Sequence, residues 1–391
     1  MAKLTGAAVV VAFGVLFITL LAGQPAAAAA DGGDFESTVF KLVEEAINGN
    51  SGVEGDPRVG PALIRLLFHD CWVNGCDGSV LLDETPADGT STEKKAAKSI
   101  GLGGFDLIDR IKARLIGVGD DDDASCADIL AFAARDAASI LSGGRIHYAV
   151  QRGRGDGVVS SATAADAALP GRAFSFAELE RSFAARGFGK KDLVALSGAH
   201  AVGVCHRSSF ADRLRPSAAA AHQINGSYQL ALAADVARQQ KLPLQTTTTT
   251  SEPTAKNNIR DMDRAFRAAS SYSPMGVDTA ATGALDNSYY TASLQNMVLL
   301  KSDWELTQDG DALDHLVEYR DDAAKWNDDL GEAMARLSNL RPPVGAHLEI
   351  RKNCRLTNPS PAREALYVLK NFLQRCYKRF SCLLDFFDGE L

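Results

Sequence analysis

Apolar residues recur at helical spacing along most of the chain, and alternating stretches are few. Ser125-x-x-Asp128 has the form of a capping box, opens an apolar run from Ile129 to Leu141, and is closed by Gly143-Gly144. Ser175-x-x-Glu178 opens a second helix that Gly187 stops. Asp192 caps a third, which carries Leu193, Val194, Leu196 and Ala199 up to His200. Trp326, Leu330, Met334 and Leu337 form one more apolar stripe, ended by Pro342-Pro343. Only Tyr148 to Gln151 alternate like a strand. The pattern predicts a mostly α fold.

The first thirty residues follow another rule. Lys3 precedes an apolar run from Gly6 to Ala22, and Gln24-Pro25 lead into five alanines before Asp31. Charge, apolar run and small residues in that order predict a secretory signal cut near Ala30, and the run is short for the ~30 Å of a bilayer core. No later stretch is apolar enough to span, so no membrane association is expected once the signal is removed. Residues 31–358 read as one domain. Asp120 to Asp123 and Thr246 to Pro253 read as solvated connections. Residues 359–391 depart in composition: after Pro359 and Pro361, Leu366, Leu369, Phe372 and Leu373 form a stripe among basic residues. That tail reads as a targeting extension, a partner-binding helix or mispredicted coding sequence.

With 391 residues and 46% hydrophobic content the chain can bury a large core, which excludes a disordered protein. A net charge of -8 without a basic stripe excludes nucleic acid as a partner. Secretion turns the seven cysteines into disulfide candidates, and an odd number leaves at least one outside the pairs. Asn225-Gly226-Ser227 is a glycosylation sequon.

Chemistry concentrates in "RLLFHDCWVNGCDGS", residues 65–79. Arg65 and His69 lie four apart, on one helical face. A neutral imidazole can take a proton from one oxygen and return it to another, while the guanidinium stabilises the negative charge between them. That equipment suits uneven cleavage of an O–O bond. From Asp70 to Ser79 the donors are oxygens, with Gly75 and Gly78 letting carbonyls turn inward, a set that suits Ca²⁺. A Cys71–Cys76 bridge would restrain this loop more than the whole fold.

R-x-x-F-H-D-C followed by V-N-G-C-D-G-S resembles the distal helix and calcium loop of the secretory plant peroxidases, class III. "SCADILAFAARDA", "DLVALSGAH", "LDNSYY", "KSDWEL" and "EIRKNCR" extend the resemblance over about residues 35–357. It implies the plant haem peroxidase fold, two helical halves with haem b between them, in a monomer exported to the cell wall or vacuole. His69 would be the distal acid–base, Arg65 its electrostatic partner and His200 the axial iron ligand. Asp303 would accept the other His200 N–H, and Phe68 and Ser99 would stand beside His69. Hydrogen peroxide would be split and two phenolic donors oxidised in one-electron steps, reaching the haem edge past Pro170. A distal Ca²⁺ would take Asp70, Asp77, Ser79, the carbonyls of Val73 and Gly75, and Glu93 through a water. A proximal Ca²⁺ would take Asp278, Thr282 and Asp286. Cys71–Cys76 and Cys126–Cys354 match family disulfides.

The chain departs from that pattern in four places. Lys98 or Ser99 falls where the family has an asparagine bonded to the distal histidine. Ala201 replaces a hydroxyl ligand of the proximal calcium, and Thr282 sits one place late. Arg172 replaces a proline beside the access route, which would favour acidic donors. Cys205 lies two positions early for its family counterpart and is expected as a buried free thiol, while Cys376 and Cys382 fall in the tail. A peroxidase fold that binds haem and calcium but turns over poorly is the alternative these departures raise; intracellular members of the superfamily are disfavoured by the signal and cysteine pairs.

Overall fold

The computed structural model describes residues 33–50, 52–84, 91–117, 123–240, 254–256 and 283–359. The expected signal, Asp278, Thr282, Cys376 and Cys382 therefore lie outside the described residues. So do Asp120 to Asp122 and the Thr246 to Pro253 connection.

The fold is mostly helical, as the spacing predicts. The helix Val59–Asn74 packs most extensively on Cys126–Leu141, which in turn packs on Gly33–Asn48 and Phe105–Gly117. Leu63, Leu66, Leu67 and Trp72 of the first, with Ile129, Leu130 and Phe132 of the second, are wholly buried. In the other half, Lys190–Ser197 packs on Ala323–Leu337 and Gly310–Asp321, and Gly310–Asp321 on Ser288–Leu294. Among the described residues, strands are confined to two-stranded antiparallel pairs: Gly49–Asn50 with Val53–Glu54, Asp156–Gly157 with Leu348–Glu349, and Val204–His206 with Thr254–Lys256.

Local signals place most helix starts well. The Ser125 hydroxyl accepts from Asp128 N at 3.0 Å, but the Asp128 carboxylate turns away to Gly153 N and Arg154, so only half of the capping box forms. Ser175 N donates to Glu178 at 2.8 Å, and Gly187 stops that helix with φ +78°. The third helix differs from expectation. It begins at Lys190, because Asp192 is its third residue and accepts from Gly189 N at 2.8 Å. It ends at Ser197, so His200 sits on the 3₁₀ turn Gly198–Ala201 rather than on an α-helix. Tyr148 to Gln151 is not a strand. Tyr148 and Val150 alternate inward with His147 and Ala149 outward, but no neighbouring strand supplies a ladder.

Both expected disulfides form, Cys71–Cys76 and Cys126–Cys354. Cys205 is in neither and is half-buried, more open than expected. The sequon residue Asn225 is half-buried too, and its side-chain oxygen accepts from Tyr228 N at the start of the helix Gly226–Gln240.

Candidate active site

The distal helix Val59–Asn74 carries Arg65, Phe68, His69 and Asp70 together. It is locked in place by aromatic packing: Phe68 stacks on Trp72 with centroids 4.6 Å apart, and Trp72 meets Phe183 of the helix Phe176–Ala184 at the same distance. Arg186 lies over the Trp72 ring and donates to its carbonyl at 2.8 Å. His69 is thus buried on a rigid element. Burial, and after it the Arg65 charge, holds its pKa well below the usual imidazole value, so at neutral pH it is an uncharged base. The Arg65 guanidinium donates to the carbonyls of Lys98 (3.1 Å) and Ile100 (3.3 Å).

That contact settles which residue faces His69. Asp166 accepts from Ala97 N and Lys98 N at 3.1 and 2.9 Å, and the Lys98 ammonium turns away to the carbonyls of Asp166 and Leu169. Ser99 is left pointing inward, with Oγ 3.4 Å from His69 Nδ1. The separation is long for a hydrogen bond, so the serine orients the ring loosely.

On the proximal side, His200 Nδ1 lies 2.8 Å from Asp303 Oδ1 on the helix Lys301–Glu305. Asp303 is buried, whereas the His200 side chain is 43% exposed. With Nδ1 engaged, Nε2 is the nitrogen available to a metal. Desolvation opposes the imidazolium, but the charge and hydrogen bond of Asp303 outweigh it and raise the His200 pKa. The Arg65 charge reaches both imidazoles. Solvent reaches Arg65 and His200, yet protein encloses both closely enough to desolvate them: they face a gap. Fixed groups on a half-open gap, with the apolar Phe68 and Ala199 only partly covered, fit a flat prosthetic group such as haem. Gly198 does not add to that room. A side chain there would collide with Tyr290 and Trp326, so the glycine lets the turn pack against the proximal core.

The segment 169–172 ties the halves together. Half-buried Pro170 follows Leu169, whose carbonyl Lys98 holds, and two residues on the carbonyl of exposed Arg172 accepts from Ser302 N at 3.0 Å, next to Asp303.

The distal oxygen cluster fits a hard cation. Asp70, Asp77, Ser79 and Glu93 are all buried. Asp70 accepts from Gly78 N at 2.9 Å and Asp77 from Ser79 N at 3.0 Å, while both Glu93 carboxylate oxygens and Ser79 Oγ have no hydrogen-bond partner. Gly75 and Gly78 take φ of +83° and +66°, which bends the loop back under the helix carrying half-buried Val73. Burial raises the pKa of all three carboxyls, and the Asp77 charge adds to the rise at Asp70. Among the described residues no three His, Cys, Asp or Glu side chains converge tightly enough to chelate a metal by themselves. The donors here are instead a mixture of carboxylate, hydroxyl and carbonyl, the mixture Ca²⁺ accepts. Of the proximal set only Asp286 is described, and it accepts from Ser288 N at 2.9 Å; Ala201, beside His200, is buried and offers no oxygen from its side chain.

A peroxidase family model matches residues 39–322. The chain belongs to the peroxidase family. Among similar proteins, Peroxidase 2 of Zea mays is 36% identical over 83% of this chain and 85% of its own length. Peroxidase RIP1 of Medicago truncatula is 35% identical over 77% and 82%, and Peroxidase 40 of Arabidopsis thaliana 34% over 83% and 82%. This chain is thus a plant-type peroxidase, an enzyme that uses hydrogen peroxide and a donor substrate, and its family implies haem and commonly calcium. No helix among the described residues is long and apolar enough to cross a membrane.

Three residues of this peroxidase's site escape the sequence reading: Asp166, which turns Lys98 outward; His206, whose ring lies close to Gly101 near Arg65; and Tyr289, in edge contact with His200. None stands in a stretch whose composition marks it.

Proposed function

We propose that this peroxidase is a secreted enzyme, released from its signal near Ala30, that reduces hydrogen peroxide and oxidises small phenolic donors, H₂O₂ and two phenols giving two waters and two phenoxyl radicals. Haem b would be held by His200 between the two halves and would supply redox-active iron for cleavage of the O–O bond and one-electron exchange. Neutral His69 would take a proton from one peroxide oxygen and return it to the other, which leaves as water. Arg65 stabilises the charge that develops between these steps. Asp303 fixes the His200 tautomer and makes the ring a stronger donor. Pro170 and Arg172 border the donor's approach. The observation that carries this reading is the pairing of a neutral buried imidazole beside a guanidinium with a second imidazole tied to a buried carboxylate. Hemin titration of the purified protein, followed by stopped-flow absorbance on adding peroxide, tests it; failure to bind hemin would refute it.

The 3.4 Å Ser99–His69 separation favours a second reading, a slow enzyme with a poorly oriented base. Ser99→Asn extends the acceptor toward Nδ1. In a slow enzyme the substitution raises the peroxide rate constant about fivefold, the worth of a hydrogen bond of about 1 kcal/mol; in a competent one, whose base is already oriented, it changes the rate less than twofold.

Calcium in the Asp70–Glu93 cluster offsets three buried carboxylates. Without it their folded pKa values lie above the unfolded ones, so the stability they allow is full below the ordinary carboxyl range near ~4 and is lost as pH rises through the raised values. Thermal unfolding in chelator is therefore expected to show a midpoint falling from pH 5 to pH 7. Calcium at about a thousand times its dissociation constant restores about 4 kcal/mol. Equal midpoints with and without Ca²⁺ at neutral pH would remove the site.

A further inference from the structure

Asp303 carries a second oxygen that the His200 contact does not use. Its Oδ1 lies 2.8 Å from His200 Nδ1, while Oδ2 is buried without a hydrogen-bond partner. A carboxylate oxygen left so inside a protein is costly and calls for a donor. The adjacent helix supplies a matching defect. Tyr289, on Ser288–Leu294, is 2% exposed, and its hydroxyl also lacks a partner. Its ring meets the His200 imidazole edge-on, with centroids 6.3 Å apart and planes at 75°, so the phenol and Asp303 flank the same ring.

We propose that the Tyr289 hydroxyl donates to Asp303 Oδ2, so that one carboxylate serves two donors and Tyr289, as a positioning residue, sets how strongly Asp303 draws on the His200 N–H. Burial, then the Asp303 charge, keeps the phenol far above its ordinary pKa and hence protonated, as a donor must be. A carboxylate already accepting from a phenol accepts less from the imidazole, which leaves His200 less like an imidazolate. Arg213, wholly buried, also interacts electrostatically with Asp303 and adds positive charge in the same sense. The bond itself requires no cofactor; its electronic consequence rests on His200 holding the haem iron.

The test has a haem-free and a hemin-loaded arm on the full chain. With histidines labelled by ¹⁵N, Tyr289→Phe moves the His200 Nδ1–H proton downfield, because Asp303 then accepts from His200 alone. Tyr319→Phe removes another buried tyrosine–carboxylate bond, to Asp329 at 2.9 Å, and leaves that proton in place. In hemin-loaded protein, Tyr289→Phe lowers the ratio of ferrous to ferric iron at a fixed electrode potential by about two- to tenfold, the span of one ordinary hydrogen bond. An unmoved Nδ1–H proton and an unmoved ratio overturn the proposal. If the variant does not fold, the unmodified protein decides: a slowly exchanging Tyr289 hydroxyl proton with a cross-peak to His200 Nδ1–H supports the shared carboxylate, and its absence overturns it. Failure of the unmodified protein to take up hemin defeats the assignment of His200, while the haem-free arm still decides the bond.

Discussion

Replacing His69 by leucine is expected to lower the rate constant for reaction with hydrogen peroxide by about 10²- to 10⁴-fold, the range lost when a positioned acid–base group is removed. Hemin uptake should survive, because His69 lies on the helix opposite the proposed iron ligand. The effect is large because the site gives His69 no substitute: Ser99 is a poor base, and Arg65 remains cationic with its donors spent partly on the carbonyls of Lys98 and Ile100. Arg65→Leu removes only charge stabilisation and should cost about 10²- to 10³-fold. The pH profile follows from the same geometry. Since burial and Arg65 lower the His69 pKa, the working form is the neutral one over the whole neutral range, and the rate should fall only on acidification well below the ordinary imidazole value. Stopped-flow measurement across pH checks both points. A loss under tenfold for His69→Leu, or a fall in rate already near neutrality, would transfer the proton work to another group.

The distal site was legible because its parts are neighbours in sequence. Arg65, His69 and Asp70 share one helix, and the proposed calcium donors up to Ser79 follow within ten residues, with only Glu93 farther on, so residue type and spacing suffice to suggest their chemistry. The proximal pair is different. His200 and Asp303 stand 103 positions apart, and nothing in either stretch binds them together except the family resemblance. The family also carried the two disulfides, which the structure contains.

Where the reading stopped, a distant residue made the decision. Lys98 and Ser99 could not be ranked locally, because the choice depends on Asp166, 68 positions away, capturing the backbone and ammonium of Lys98. Gly198 is a glycine because of Tyr290 and Trp326 from two later helices, which nothing around it in the sequence announces. Tyr148 to Gln151 has true inward–outward alternation, which sequence registers, but no partner strand, which sequence does not. Tyr289 was hidden inside "LDNSYY" as one apolar residue among others; only its edge contact with His200 and its unpaired hydroxyl single it out. In each case the local physics was read correctly and a long-range contact gave it another use.

The largest stability effect is expected from Cys126 and Cys354. Replacing both by serine opens a closure of 228 positions, worth about 5 kcal/mol in the chain-entropy treatment, whereas opening Cys71–Cys76, five positions apart, costs about 2 kcal/mol. Denaturant unfolding with matched slopes measures the difference. The loss should reach the distal site, because the long disulfide is part of a buried hub. Asp156 Oδ2 accepts from Cys126 N at 3.0 Å and from Arg351 N at 2.9 Å, and the Arg351 guanidinium, wholly buried, donates to the carbonyl of Gly78 within the calcium loop. Freed from Cys126, the segment around Cys354 can lift Arg351 from that carbonyl, and calcium affinity should fall together with stability. A loss under 1 kcal/mol with calcium binding intact would mean that Asp156 and Arg351 already hold the two ends of the chain together without the covalent bond.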